Sequence, residues 1–231
     1  MPQKTFYNCI YMKKSLKPVF ILTGILYFYL PLSAQTYRIE AGYLNHVRSG
    51  SGLSSTYFDG AQVGVSSDFA LKNNFSYSVG GYYSFLYSFK EQLFPHDTYV
   101  RYTTYSHSLD IPVRLNYTLT IKKVKLFAYA GPNFNIGLYQ PQKTVSTLTP
   151  ELTELVQEFQ HVTIPLGTTH SELYNDNVLR RLNIQLGAGG GIQWRKYRLK
   201  SGYDFGLLDL YKSKTASLHQ SGWFVSFGYE F

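Results

Sequence analysis

The stretch SGWFVSFGYEF, residues 221–231, decides the fold. Read in steps of two, Trp223, Val225, Phe227, Tyr229 and Phe231 are apolar or aromatic, and Gly222, Ser226, Gly228 and Glu230 between them are small or polar. A period of two marks a strand with two unlike faces. The apolar face runs to Phe231, and something must cover it.

The same alternation recurs in eight segments, at 37–47, 61–71, 75–87, 106–119, 125–139, 181–195, 197–207 and 221–231. In the first, Tyr37, Ile39, Ala41, Tyr43 and Val47 oppose Arg38, Glu40, Gly42 and His46. The sixth is the clearest, with Leu182, Ile184, Leu186, Ala188, Ile192 and Trp194 against a face of Asn, Gln, Gly and Arg. The fifth is the weakest, because Phe127, Tyr129 and Tyr139 fall on its polar side. Aromatics make up 17% of the 231 residues, 22 of them tyrosine, while charged residues are 16%. Soluble domains carry about a quarter of charged residues, so this surface is not built for water alone.

Connections after the second, fourth and sixth segments are two to five residues long, and the others run from about nine to about forty. Short turns at one end and long loops at the other are the layout of an outer-membrane barrel. In hydrocarbon every backbone N–H and C=O must find a partner, and only a closed sheet leaves none over. The fold expected is therefore all-β: an eight-stranded antiparallel up-and-down transmembrane β-barrel with short periplasmic turns and long extracellular loops. The apolar face then points to lipid. Tyr37, Phe75, Tyr117, Trp194, Tyr197, Tyr229 and Phe231 form the periplasmic aromatic girdle, and Tyr43, Phe85, Tyr87, Tyr105, Phe205 and Trp223 the outer one. A soluble periplasmic β-barrel binding protein would turn the apolar face inward and carry many Lys and Glu outside. Here the polar face is mostly Gly, Ser, Asn and Gln, which suits a confined lumen.

Ahead of these segments, MKKSLKPVFILTGILYFYLPLSAQ begins basic at Met12, runs apolar from Val19 to Leu30 and ends on small residues. That is the layout of a signal peptide, with cleavage expected after Ala34. Residues 1–34 form this segment, 1–11 being a start-site extension, and 35–231 the barrel domain. The apolar run is too short for a spanning helix, the alternative reading. Cys9 precedes the run, so the mature chain has no cysteine and no disulfide. The net charge of +8 shrinks once Lys4, Lys13, Lys14 and Lys17 are removed, leaving 18 basic against 14 acidic residues with no clustered stripe. Nucleic-acid binding is not expected.

HSLDIPVRLNYTL, KLFAYAGPNFNIGLY, LGAGGGIQW, YRLKSGYDFGLLDLY and FVSFGYEF resemble, in that order, segments of the PorT-like outer-membrane β-barrel proteins of the Bacteroidota. LDIPVRLNY and AGPNF are the more specific of these. The resemblance implies an outer-membrane location, a final aromatic (Phe231, with Tyr229) read by the barrel-assembly machinery, and a link to secretion through one founding member of the family. It brings no catalytic motif. The partners it suggests are outer-membrane lipid, the assembly machinery and other envelope or secretion-system proteins.

An eight-stranded barrel is just wide enough for side chains to fill it. The charges placed inside are Arg38, Glu40, Asp68, Asp110, Arg114, Arg181, Arg195, Arg198, Lys200, Asp204 and Glu230, of both signs. Isolated charges in a confined space are costly, so a paired plug is expected, with an ion or proton path as the alternative. Glu230 should meet Arg38 and Arg198 at the periplasmic mouth. Ser106, His107, Ser108 and Asp110 have the residue types of a nucleophile, base and orienter. Alternation sends His107 outward and Ser108 and Asp110 inward, so they do not converge and no enzyme is expected; a lipid-modifying enzyme is the alternative. GAGGGI lies inside a strand with no helix after it, and its glycines make room for Phe127 and Tyr129 instead of cradling a phosphate. No cofactor or metal is expected.

The loop at 140–180 departs from the pattern. Thr149 can cap a helix starting at Pro150, with Leu152, Leu155, Val156 and Phe159 on one face. That stripe either covers the barrel mouth or contacts a partner.

Overall fold

The structure, a computed structural model, describes residues 35–51, 53–94, 98–150, 154, 158, 167–212 and 216–231. The signal peptide expected at 1–34 and the loop residues Leu152, Leu155, Val156 and Phe159 lie outside the described residues.

Ten strands follow in order: β1 (Gln35–Gly50), β2 (Leu53–Ala70), β3 (Phe75–Phe94), β4 (Thr98–Ile121), β5 (Val124–Tyr139), β6 (Pro141–Ser146), β7 (Gly167–Glu172), β8 (Leu182–Trp194), β9 (Tyr197–Gly206) and β10 (His219–Glu230). Eight of them close a ring in the order β1-β2-β3-β4-β5-β8-β9-β10, every neighbour antiparallel. One row of paired residues passes through Gln35, Phe69, Tyr77, Leu115, Ala130, Ala188, Tyr203 and Trp223 and returns to the first strand at Asn45. The ring thus closes with an offset of ten residues. Such a stagger tilts the strands by roughly 40° and leaves an interior that side chains can fill.

The short turns are at 71–74, 122–123 and 195–196. Asn73, Asn74, Lys122 and Arg195 take the left-handed conformation there, with φ of 57°, 65°, 56° and 54°. Asparagine tolerates that region better than most residues.

At the other end the strands continue. A strand crosses a membrane in about 10 residues, yet β4 has 24. β3 and β4 stay paired up to Phe94↔Thr98, and β1 and β2 up to Gly50↔Leu53. The long loops expected after the first and third segments are therefore mostly tall hairpins. The segment at 140–180 is corrected in the same way: β6 pairs with the upper half of β4 and β7 with β6, so that β3, β4, β6 and β7 form a sheet standing beyond the ring. Strand alternation there is carried by Thr, Ser and Gln, which give no apolar period to read.

The aromatic and aliphatic face points out. Tyr37, Phe75, Tyr117, Trp194, Tyr197, Tyr229 and Phe231 are all exposed, and so are Tyr43, Tyr87, Tyr105, Phe205 and Trp223. They pair in the girdles, as Phe75 with Tyr117 at 5.0 Å between ring centres, Tyr43 with Trp223 at 5.4 Å and Tyr229 with Phe231 at 5.5 Å. This exposure is tolerable only against lipid, where burying each large side chain contributes roughly 1.5–3 kcal/mol. Tyr139 is exposed because a bulge shifts the register between His107 and Ser108, turning Leu138 and Tyr139 both outward. Phe127 and Tyr129 are buried inside the ring with Leu44, Phe58, Leu86 and Phe224.

A small cap sits over the extracellular end. Tyr174, Leu179 and Leu210 form its core, with Leu173, Val178, Tyr211 and Leu218 packed against them. Main-chain bonds from Arg180 to Leu210 (2.8 Å) and from Lys212 to Val178 (3.1 Å) join its two segments. Asp209 accepts the N–H groups of Tyr211 (2.9 Å) and Leu218 (2.8 Å).

Candidate functional site

The lumen is the candidate site, and it is built in layers. At the periplasmic mouth, Arg38 on β1 grips Asp68 on β2 through Nη1 (2.7 Å) and Nη2 (2.5 Å). Arg198 on β9 reaches the same carboxylate at 3.0 Å and lies 3.7 Å above the Phe127 ring. Glu230 is 3.7 Å from Arg38 and accepts from Gln193 Nε2 at 2.8 Å. Glu230 thus meets Arg38, but Arg198 takes Asp68 instead, because Asp68 projects between the two arginines.

One layer further in, Glu40 receives Lys200 Nζ at 2.5 Å, Ser66 Oγ at 2.7 Å and Arg38 Nε at 3.4 Å. Lys200 also donates to the Tyr82 hydroxyl at 3.2 Å. Arg114 pairs with Asp204 at 2.5 Å. Above it Asp110 accepts from three neutral donors: Ser84 at 2.7 Å, Asn133 at 3.0 Å and Asn135 at 2.9 Å. A polar cavity of about 50 Å³ lies among these groups, lined by Glu40, His46, Asp110, Arg114, Lys200 and Asp204 with others. That is room for a few waters, each needing roughly 10–15 Å³.

The uppermost layer was not anticipated. Arg48 donates to Gln220 at 2.7 Å and Gln140 at 3.1 Å and stacks over Phe58 at 4.5 Å. Gln220 also bonds His46 at 3.1 Å, and Gln185 links Asn133 (2.9 Å) to the Gln220 carbonyl (3.1 Å). Arg48 lies two residues beyond His46 on the same face, so extending the period of two by one step would have found it. Two predicted members are elsewhere. Arg181 is exposed at the extracellular rim, bonded to the carbonyls of Gly137 (3.2 Å) and Leu138 (2.6 Å) and to Asn175 (2.9 Å). Arg195 is exposed in a periplasmic turn over Trp194. Both stand at strand ends, where alternation no longer fixes direction. Among the described residues, five cations (Arg38, Arg48, Arg114, Arg198, Lys200) then share the lumen with five carboxylates (Glu40, Asp68, Asp110, Asp204, Glu230).

Pro112 and Pro132 explain the position of Arg114. Proline brings no N–H to a ladder. The β3–β4 register passes from Val79↔Val113 to Tyr82↔Asp110 with no bonded pair between, and the β4–β5 register passes from Pro112↔Asn133 to Leu115↔Ala130 in the same way. Arg114 Nη1 donates to the Gly131 carbonyl inside the second gap. A side chain thereby replaces a missing main-chain donor in the middle of the wall. Gly131 has φ of 153°, and a Cβ there would collide with the Val113 carbonyl. The segments LDIPVRLNY and AGPNF are the two halves of this joint.

His107 lies on the outer wall, 2.5 Å from the Tyr83 hydroxyl and beside Phe85 and Tyr139, whereas Ser106, Ser108 and Asp110 are buried in the lumen. The four do not converge. In GAGGGI, a Cβ on Gly189 would strike the Tyr129 hydroxyl and one on Gly191 would lie 2.6 Å from Phe127. Those glycines make room for inward aromatics. Among the described residues no group of three His, Cys, Asp or Glu is placed to hold a metal.

The family model described as "Outer membrane protein beta-barrel domain" matches residues 32–212. No curated protein matches. Among solved structures, the chain is similar to Neisserial surface protein A, at 13% identity and a TM-score of 0.43, over 86% of this chain and 100% of that one. It is also similar to Ail, the attachment invasion locus protein of Yersinia pestis, at 13% identity and 0.36, over 85% and 98%. A third, the outer membrane enzyme PagL, stands at 8% identity and 0.34, over 85% and 99%. With its closed eight-stranded ring, outward aromatic girdles and family match over most of its length, the chain belongs to the outer membrane protein beta-barrel domain family and resides in the outer membrane.

Proposed function

We propose that this protein is a non-enzymatic, side-chain-filled barrel of the PorT-like kind, acting as a surface-interaction or secretion-accessory component and not as a pore. The observation that carries the reading is the cross-linked lumen. Four cations and four carboxylates form ion pairs across it, Arg48 and Asp110 are held by neutral side chains, and a cap with its own apolar core lies above. Moving a small solute through would mean breaking several buried ion pairs at once, each worth several kcal/mol to separate. What remains available to other molecules is the sheet β3–β4–β6–β7 and the hairpin β1–β2 beyond the ring.

The test is conductance. The purified protein in planar bilayers should give no stable channel, and Arg38→Gln with Asp68→Asn should raise leakage. A steady open channel in the unaltered protein would overturn the reading. Turnover of labelled lipid A or phospholipid that disappears in His107→Ala would overturn it in favour of a lipid-modifying enzyme.

A further inference from the structure

The outward face is not uniformly apolar around the barrel. On β1 and β2 it carries Asn45 and Asp59, which bond each other at 2.8 Å, with the exposed Tyr57 two residues beyond Asp59. The same row on β3 and β4 carries Tyr87 and Tyr105, with ring centres 5.4 Å apart. From there the outward face continues up the extracellular sheet without a break.

Two rows of paired residues cross that face. The first runs Phe89, Thr103, Lys143, His170, and the second Glu91, Arg101, Val145, Thr168. Phe89, Lys143 and His170 are exposed. Arg101 lies 5.5 Å from the Phe89 ring and 4.9 Å from that of Tyr99, and holds Glu91 at 2.8 Å. Lys143 makes no ion pair among the described residues. On the opposite face of the same sheet Thr98, Val100, Thr104, Thr144 and Ser146 are buried, and its one charge on these rows, Lys90, donates to Ser54.

We propose that the outward face of β3–β4–β6–β7 seats the phosphorylated saccharide headgroup of the outer-leaflet glycolipid. Its continuity with the lipid-facing wall sets the depth, since the first residues above the aromatic girdle stand where acyl chains give way to headgroups. The chemistry matches: Lys143, Arg101 and His170 supply cations and donors for phosphate, and Phe89 and Tyr99 offer flat apolar faces to sugar rings. The β1–β2 sector differs: Asp59, in the row of Tyr87 and Tyr105, accepts from Tyr43 and Asn45, and Tyr57 stands exposed above it.

The test uses the full mature chain in phosphatidylcholine nanodiscs doped with lipopolysaccharide, and measures the lipopolysaccharide retained per barrel after detergent exchange. Lys143→Gln should lower retention about five-fold, and adding the neutral pair Arg101→Gln with Glu91→Gln should lower it further. Arg195→Gln, at the periplasmic end, should retain the wild-type amount. Unboiled gel mobility reports folding in each case. Unchanged retention in a folded Lys143→Gln barrel overturns the proposal, as does equal retention of dephosphorylated lipopolysaccharide. Equal binding of the free phosphorylated oligosaccharide in the absence of lipid would assign the face to a soluble ligand and also overturn it.

Discussion

Asp68 holds Arg38 at two points, its Oδ2 accepting Nη1 at 2.7 Å and its Oδ1 accepting Nη2 at 2.5 Å, while Oδ2 also accepts from Arg198 at 3.0 Å. One carboxylate therefore bridges two buried guanidinium groups, one on β1 and one on β9, while Glu40 and Glu230 also lie beside Arg38. Asp68→Asn removes that bridge, leaving Arg38 with Glu40 and Glu230 and Arg198 without its carboxylate. The expected cost is on the order of 3 kcal/mol, read as an earlier unfolding midpoint in detergent. Ser67→Ala, on the outward face of the same strand, should leave the midpoint in place.

Arg114→Lys tests the proline joint. A lysine keeps the charge but cannot hold the Gly131 carbonyl and Asp204 together, so an acceptor is left without a donor inside the wall. An unsatisfied buried acceptor costs about 1–3 kcal/mol. The expected outcome is a lower yield of the fast-migrating, unboiled form on gels. Full recovery of that form would show that the gap between β4 and β5 is filled in another way.

Gly137 lies against Tyr174 of the cap, and a Cβ there would overlap the phenol ring. Gly137→Ala should push Tyr174 out and loosen the cap without disturbing the ring. Limited proteolysis should then cut within 173–180 while heat-modifiability is kept. Loss of both would mean that the cap and the barrel fold as one unit.

Two N–H groups, from Leu218 and Tyr211, hold the Asp209 carboxylate below its ordinary pKa. A depressed carboxylate contributes stability above the unfolded-state pKa and loses it as pH falls through the folded one. Cap protection, measured by amide exchange of Tyr211 and Leu218, should be constant at neutral pH and fall in the acid range below pH of about 4. Asp209→Asn should flatten that dependence.

Phe231 is an exposed aromatic of the periplasmic girdle, edge-on to Tyr229. Deleting it should slow insertion by the assembly machinery while leaving the lumen pairs untouched, so that protein refolded in detergent keeps the wild-type midpoint. A lowered midpoint in refolded protein would make Phe231 a structural residue.

Strict alternation on β1, β9 and β10 allowed Arg38, Glu40, Arg198, Lys200 and Asp204 to be placed inside from the sequence alone. The rule fails where the strand is no longer regular. Arg195 lies in a turn and Arg181 just before β8, so their direction is set by local backbone geometry. Leu138 and Tyr139 are displaced by a bulge that leaves no mark in composition. The hairpin extensions and β6–β7 went unread for a different reason. Above the membrane neither face of the sheet has to be apolar, so Thr, Ser, Gln and single aromatics replace the period of two. Phe127 and Tyr129 interrupt the pattern of β5 because the glycines across from them, at 189 and 191, leave space for rings.

The ten-residue closure has a consequence for how the molecule stands in its bilayer. A row of paired residues climbs toward the cell exterior as it passes from β1 through β2 and β3 to β4, so Tyr87 and Tyr105 stand higher than the Asn45 and Asp59 that share their row. A level girdle therefore takes different rows on different strands, and on β2 it is Tyr57, two residues beyond Asp59, that stands exposed on the outward face. No single row of the sheet is a contour of the membrane. Moving an aromatic along one strand would tilt the barrel at that flank instead of raising or lowering the whole girdle.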